Sequence, residues 1–233
     1  KIVEENVKLA ILCSPHNPVG RVWTEEELTR FGQICVKHGV PVVSDEIHAD
    51  FISPGHKHTV FASISPDFAE STITCTAPTK TFNLAGLQIA NTIVSNQTLR
   101  RKVRNAMHRA GYHQVNVMGL TACRAAYREG GPWLDALNGY LQKNLAYLRQ
   151  FLEEHLPQIR LVEPEGTYLV WLDCRGLGLT DQELEHRLFH RAGIWLDEGP
   201  MFGTGGSGFQ RINIACPQPV LEKALKQLTK ILP

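Results

Sequence analysis

Short apolar runs alternate with amphipathic stretches along the first half of the chain. Apolar runs at residues 9–13 and 40–44 flank a stretch that starts with a capping box, in which Glu27 follows Thr24 by three residues. Gly39 fits the position just past the end of that helix, where glycine is favoured. A strand, a helix and a strand so close together predict a βαβ unit and a parallel sheet. Further strands are predicted at 71–76 and 89–94, a polar bend at 77–80, and helices at 96–107 and 118–128.

A long amphipathic helix is predicted at 133–155, where six leucines form one stripe: Leu134, Leu137, Leu141, Leu145, Leu148 and Leu152. The pattern then changes to short strands at 160–162, 167–173, 194–196 and 209–214, with helices at 180–192 and 220–231. We therefore predict an α/β protein with a mostly parallel sheet flanked by helices, followed by a smaller α+β domain. The predicted divisions are the C-terminal portion of a larger domain at 1–132, a connecting helix at 133–156 and the small domain at 157–233.

Composition favours a small-molecule partner over nucleic acid or a membrane. Lys plus Arg number 24 against 23 for Asp plus Glu, so no charge excess attracts a polyanion. No apolar run is as long as a membrane-spanning helix requires. The six cysteines are scattered without a C-x-x-C pair, a pattern typical of reduced thiols in a cytoplasmic protein.

Three polar segments follow predicted strands: Asn17-Pro18-Val19-Gly20, Ser44-Asp45-Glu46-Ile47-His48 and Thr79-Lys80-Thr81-Phe82-Asn83. In an open parallel sheet, the loops past the carboxyl ends of the strands form the ligand crevice. We therefore expect Asn17, Asp45 and Lys80 to reach one rim of the sheet.

With these segments the chain resembles the fold-type I enzymes that use pyridoxal phosphate (PLP), the aminotransferase class I and II superfamily. Within it, Ser14-Pro15-His16-Asn17-Pro18 and the segments around Asp45 and Lys80 are most similar to the cystathionine β-lyase (C–S β-lyase) group. The spacing of 28 residues from Asn17 to Asp45 and 35 from Asp45 to Lys80 also resembles that of the superfamily. The resemblance implies a PLP-dependent transferase-like fold with PLP as cofactor.

The resemblance implies roles for the polar residues. Lys80 would hold PLP as a Schiff base and then transfer the substrate's Cα proton. Asp45 would keep the pyridine nitrogen protonated, and Asn17 would bind the ring's 3′ oxygen. Arg211 would bind the substrate carboxylate through its planar fork. Since a lysine must be neutral to form an imine and burial favours that form, the Thr, Pro and Phe neighbours of Lys80 predict a buried setting.

The remaining implied cofactor contacts are apolar or neutral. Ile47, which alternates to the same side as Asp45 on an extended segment, would pack on the pyridine ring. His48 stands where many aminotransferases have a tyrosine, and it either serves the 3′ oxygen or fills the site. Thr79 and Thr76 would donate hydroxyls to the phosphate. Gln88 stands where many relatives carry a basic residue.

Two further roles, substrate contact by aromatic residues and metal binding, are not predicted. Tyr168 and Phe202 are expected to pack in the core rather than touch substrate. A metal site is not predicted, because the acidic and histidine residues near Asp45 lack helical His-x-x-x-His spacing and a cysteine pair. This group comprises Asp45, Glu46, His48, Asp50, His56 and His58, of which the last two are expected in a solvated loop.

The function implied is β-elimination of cystathionine- or cysteine-type substrates to thiol, pyruvate and ammonia. The same residues would serve an aminotransferase, and a non-catalytic fragment or regulatory binding protein is a third alternative. The sequence starts at Lys1 and enters an apolar run almost at once. We therefore expect a preceding stretch that completes the cofactor site, and a homodimer in the full-length form.

Overall fold

The computed structural model describes residues 2–232 and divides into two compact units. The first unit contains the chain up to Pro15 together with Val22–Asp135. The second contains His16–Arg21 and the chain from Ala136 onward. The assignment of 1–132, 133–156 and 157–233 to a larger domain, a connecting helix and a small domain stays a prediction.

The first unit is built on one sheet of four strands in the order β1 to β4. These are β1 (Ala10–Cys13), β2 (Val42–Asp45), β3 (Thr72–Thr76) and β4 (Asn91–Ile93). The first three strands are parallel, and β4 runs antiparallel to β3. The mostly parallel sheet that the sequence predicts is therefore confirmed.

Local signals set the ends of the helices in this unit, which are α1 (Glu25–Lys37), α2 (Pro66–Ser71), α3 (Pro78–Thr81), α4 (Gln97–Arg109) and α5 (Val117–Glu129). The predicted capping box is present at α1, and Gly39 just beyond it has a left-handed φ of 65°. The polar bend predicted at 77–80 is wrong, because α3 occupies this segment with Pro78 in its first turn. Proline suits that position, since its missing N–H has no partner inside a helix anyway.

The core of the first unit lies between the sheet and the helices α1 and α2. Leu12 and Val42 from the strands pack in one buried cluster with Leu28 of α1 and with Phe61 and Phe68. The rings of Phe61 and Phe68 are stacked with their centroids 5.1 Å apart. This cluster packs on one side of the sheet. The ends of the strands carry polar side chains instead.

The second unit combines an antiparallel sheet with helices, as predicted for the smaller α+β region. The sheet has the order β5, β6, β8, β7, with β5 (Arg160–Val162), β6 (Leu169–Asp173), β7 (Asp197–Glu198) and β8 (Phe209–Asn213). Its helices are α7 (Asp181–His186), continued by π-helical turns at Arg187–Ala192, and α8 (Gln218–Leu228). Helix α6 (Gly131–His155) begins within the first unit's residues and continues in the second's.

The strand predicted at 194–196 is wrong, since the edge strand β7 begins at Asp197. The N–H of Ile194 donates to the carbonyl of Leu188 at 2.9 Å and so ends the preceding helical turns. Trp195 is 83% exposed. A strand is defined by its backbone hydrogen bonds. Here these bonds begin at Asp197, after the apolar residues 194–196 from which the strand was predicted.

Asn144 is a polar residue within the apolar face of α6. Its side chain is fully buried, and its Nδ2 donates to the carbonyls of Ile214 at 2.8 Å and Cys216 at 2.9 Å. These bonds join α6 to the segment that follows β8 and satisfy two backbone carbonyls away from water. Among the described helices, none is long and apolar enough to span a membrane.

Two helical glycines allow a matched test of this packing. A Cβ at Gly32 of α1 would lie 2.4 Å from the ring of Phe68, whereas a Cβ at Gly139 of α6 would meet nothing within 4 Å. We expect Gly32→Ala to lower the free energy of unfolding by about 1–3 kcal/mol through overpacking. Gly139→Ala should leave it unchanged or raise it by up to about 1 kcal/mol, because alanine favours helix. Urea unfolding measures both, and equal effects would contradict the described packing of α1 on Phe68.

Candidate active site

The carboxyl ends of the three parallel strands lie side by side. The register pairs Cys13 of β1 with Asp45 of β2, and Asp45 with Cys75 of β3. Ligands bind beyond such strand ends in open parallel sheets. Asp45 closes the central strand, and Lys80 comes shortly after the neighbouring strand β3. The first unit therefore has Asp45 at the end of β2 and Lys80 four residues beyond the end of the adjacent strand β3.

Asp45 is half-buried and starts a turn. Its Oδ1 accepts a hydrogen bond from the backbone N–H of Ile47 at 3.2 Å, an arrangement in which aspartate shapes the backbone two residues on. The extended backbone that we expected from Asp45 to Ile47 is therefore wrong, because the strand ends at Asp45. Ile47 is half-buried, and its contact with a cofactor ring stays a prediction.

Glu46 anchors this turn from inside the protein. Its side chain is 2% exposed and accepts hydrogen bonds from Ser44 Oγ at 2.8 Å and from the N–H of Phe61 at 3.1 Å. His58 Nε2 lies 3.0 Å from the other carboxylate oxygen. His58 is only 10% exposed at its side chain, so the solvated loop predicted for it is wrong. The sequence offered no signal for this anchor, because two of the partners of Glu46, His58 and Phe61, are 12 and 15 residues further along the chain.

His48 lies in the same turn and is buried, with 3% of its surface exposed. Its ring centroid is 6.4 Å from that of Phe51. His48 is therefore a buried residue of this turn, with its ring close to that of Phe51. Its role toward the 3′ oxygen of a cofactor stays a prediction.

Lys80 lies on α3, which is held at its C-terminal end. Thr81 Oγ1 donates to Asp50 Oδ2 at 2.6 Å, and the Phe82 ring packs 5.6 Å from that of Trp133. Thr79 and Thr81 are buried, whereas Lys80 between them is exposed. The buried setting predicted for Lys80 is therefore wrong, because the turn of α3 directs its neighbours inward and Lys80 outward.

Thr76 ends β3 and belongs to a polar network. Its Oγ1 accepts a hydrogen bond from Asn91 Nδ2 at 3.3 Å, and the same Nδ2 lies 3.2 Å from the hydroxyl of Tyr127. Burial raises the pKa of Tyr127, and hydrogen bonds from Thr76 and Asn91 oppose that rise. Thr79 is 9% exposed. Both threonines lie at or just past the end of β3, and their binding of a phosphate stays a prediction.

The second unit brings two predicted site residues into direct contact. Arg211 Nη1 donates to Asn17 Oδ1 at 2.7 Å, although the two residues are 194 positions apart. On its other edge the guanidinium binds Asp197, with Nε and Nη2 at 3.0 Å and 2.5 Å from Oδ2. The Arg211 guanidinium also lies 4.7 Å from the centre of the Phe202 ring, in position for a cation–π contact.

The surroundings of Arg211 contain residues that sequence reasoning missed or placed elsewhere. Phe202 packs against Trp171 at 5.5 Å and also contacts Arg211, but it is 38% exposed, so the core position expected for it is wrong. Burial raises the pKa of Tyr168, while the positive charge of Arg211 opposes the rise. Asp197 was not singled out at all. Only the pairing of Asp197 with Arg211 across β7 and β8 identifies it.

The family model described as aminotransferase class I and II matches residues 1–228. The chain belongs to this family. Cystathionine beta-lyase PatB of Bacillus subtilis (strain 168) is 44% identical over 232 residues, which are 100% of this chain and 60% of the relative.

Two solved structures of this family are similar throughout. Cystalysin from Treponema denticola, which contains a pyridoxal 5′-phosphate cofactor, matches with a TM-score of 0.95 and 42% identity over 98% of this chain and 58% of its own. The PLP-bound C–S lyase from Staphylococcus hominis matches with a TM-score of 0.91 and 37% identity over 99% and 60%. The chain therefore spans about three fifths of the length of the relatives it matches.

The thiol of Cys75 can report the charge of Asp45. Burial raises the pKa of Cys75, and the charges of Asp45 and Glu46 raise it further. Because the thiolate is the reactive form, removing one nearby negative charge should lower the pKa and speed alkylation at fixed pH. We expect Asp45→Asn to increase the rate of Cys75 alkylation by iodoacetamide about threefold at pH 8.

Peptide mass spectrometry over a time course measures that rate. Asp67→Asn, which changes an exposed carboxylate on α2, is the control and should leave the rate unchanged. A rate for Asp45→Asn at or below that of the unmodified sequence would contradict the described electrostatics of the strand ends.

Proposed function

We propose that the protein is a PLP-dependent C–S β-lyase that converts cystathionine- or cysteine-type amino acids to a thiol, pyruvate and ammonia. The observation that carries this proposal is the placement of Asp45 and Lys80 after neighbouring parallel strands, in a family whose members include a cystathionine β-lyase. Further support comes from the similarity to a PLP-bound C–S lyase along nearly the whole chain.

The side chains at the strand ends fit PLP by their chemistry. A carboxylate suits the protonated pyridine nitrogen, a primary amine suits the aldehyde, and hydroxyls suit the phosphate. Asp45 at the end of β2, Thr76 at the end of β3, and Thr79 and Lys80 on α3 supply these groups. When bound, PLP withdraws electrons from the substrate's Cα and so stabilises the negative charge that forms there.

Lys80 has two tasks in this proposal. Its amine is exposed and would be accessible to the cofactor aldehyde. The amine would take the proton from the substrate's Cα and deliver a proton to the leaving sulfur. Asp45 would hold the proton on the ring nitrogen.

Arg211 and Asn17 act as a pair on substrate and cofactor. Because Asn17 Oδ1 already accepts from Arg211, the amide Nδ2 supplies the donor for the 3′ oxygen of PLP. Arg211 binds the α-carboxylate of the amino acid through its terminal nitrogens. His48 and Ile47 line the cofactor from the turn after β2.

The outcome of the reaction depends on the β substituent of the substrate. When sulfur is attached to the β carbon, the C–S bond breaks, the thiol leaves with a proton, and hydrolysis of the remainder yields pyruvate and ammonia. Transamination would use the same residues. The lyase-like segment Thr81-Phe82-Asn83 and the lyase relatives favour elimination.

The amino-acid class of the substrate follows from the activities for which the relatives are named. We also propose that the protein acts as a homodimer in the cytoplasm. The substrate class and the homodimer rest on the family resemblance, and the cytoplasmic location rests on the scattered cysteines.

Attachment of the cofactor to Lys80 is open to direct measurement. The purified protein incubated with PLP and reduced with borohydride should carry one cofactor on the peptide that contains Lys80. Lys80→Ala should remove that adduct completely, whereas Lys57→Ala, which changes an exposed loop lysine of the same unit, should retain it. A cofactor adduct of equal yield in Lys80→Ala would refute the assignment.

Product analysis separates the lyase from the aminotransferase. With cystathionine, we expect pyruvate and homocysteine in equal amounts, and Lys80→Ala should lower the rate by about 10²–10⁴-fold because the proton-transfer group is lost. Lys57→Ala should keep the rate. Exchange of the amino group with an added oxo acid, without release of pyruvate, would show that the protein is an aminotransferase instead.

A further inference from the structure

Strand β8 directs its side chains to two opposite faces of the second unit's sheet. Arg211 pairs with Trp171 of β6 and with Asp197 of β7. Its neighbour Gln210 pairs with Glu198. Since paired residues project to the same face and adjacent residues to opposite faces, Asp197 shares a face with Arg211 and Glu198 does not.

Asp197 binds one particular edge of the guanidinium. Its Oδ2 accepts from both Nε and Nη2 of Arg211, and these two nitrogens form the side edge of the group. Asn17 accepts from Nη1. An arginine has five N–H donors, so within the described chain two N–H groups remain, one on each terminal nitrogen. Two such donors are what a carboxylate requires for bidentate binding.

The guanidinium is also held at its face. The Phe202 ring lies 4.7 Å from the guanidinium carbon, and the ring of Trp171 lies 5.5 Å from that of Phe202. The Arg211 side chain is 16% exposed, whereas that of Asp197 is 41% exposed. A mostly buried arginine that is held at one edge and one face can adopt few orientations. The direction of its terminal N–H groups is therefore restricted.

We infer that Asp197 is a positioning residue for recognition of the substrate's α-carboxylate, because it holds the side edge of Arg211 and leaves one N–H on each terminal nitrogen for the ligand. This inference rests on the proposed function of Arg211. This role differs from that of a purely structural ion pair in one respect. A positioning residue affects how the carboxylate of the ligand is bound and does not affect how its amine is bound.

The opposite effect is also physically reasonable and must be distinguished. The negative charge of Asp197 offsets the positive charge of Arg211, so its removal alone would strengthen the attraction for an anion. If positioning is the larger effect, removal weakens carboxylate binding. If charge is the larger effect, removal strengthens it.

The test compares two ligands that differ only in the carboxylate. L-Alanine has no leaving group on its β carbon, and ethylamine is the same molecule without the carboxylate. Isothermal titration calorimetry of the PLP-loaded protein gives the affinity ratio of the two. We expect Asp197→Ala to lower the affinity for L-alanine about tenfold and to leave ethylamine unchanged. Asp197→Asn keeps an oxygen acceptor and should lose less.

Glu198→Gln is the matched control, since it changes the adjacent carboxylate on the other face of β7. It should leave both affinities unchanged. A second readout does not depend on cofactor or ligand: the Nε–H signal of Arg211 in ¹⁵N NMR should exchange slowly with water in the unmodified protein and in Glu198→Gln. In Asp197→Ala this signal should exchange fast or vanish.

The outcomes separate this inference from the proposed function. Tighter or unchanged binding of L-alanine by Asp197→Ala, or equal loss for both ligands, overturns the positioning role alone. An unmodified protein that shows no preference for L-alanine over ethylamine overturns both the role of Arg211 and that of Asp197. An Nε–H signal that is the same in Asp197→Ala and in the unmodified protein overturns the edge contact itself.

Discussion

The in-register parallel pairing of β1, β2 and β3 is the constraint on which the rest of the first unit depends. Because Cys13, Asp45 and Cys75 are aligned across the strands, the segments that follow β2 and β3 start from the same edge of the sheet. Glu46 then holds the first turn through Ser44, Phe61 and His58, all from the buried side. Contacts inside the protein therefore fix the backbone at this edge of the sheet, and they hold Asp45 in place.

In the second unit, the register of antiparallel strands also positions a residue of the candidate site. Pairing across β6, β8 and β7 places Arg211 between Trp171 and Asp197, and the contact with Asn17 adds a neighbour from a distant part of the chain. Binding energy is used most effectively when the groups that bind are already oriented before the ligand arrives. The contacts of Arg211 meet that condition on one edge and one face of the guanidinium.

Helix starts that depend on local chemistry agree with the structure at two positions. Thr24 and Thr180 both cap their helices with a glutamate three residues on, because a capping box involves only neighbouring residues. The apolar runs at β1 and β2 are strands for a similar reason. The exposure of Lys80, the burial of His58 and the start of β7 at Asp197 were not predicted. Each depends on what packs or pairs there from elsewhere in the chain.

The sequence by itself determined the class of fold, the family resemblance and the identity of the polar residues that end the strands. These follow from apolar periodicity and from motifs read in order along the chain. Only the tertiary structure decided which side chains meet: Glu46 with His58, Thr81 with Asp50, and Arg211 with Asn17 and Asp197. The physical reason is that hydrogen bonds and ion pairs act over a few ångströms, and strand register brings residues distant in the chain within that range.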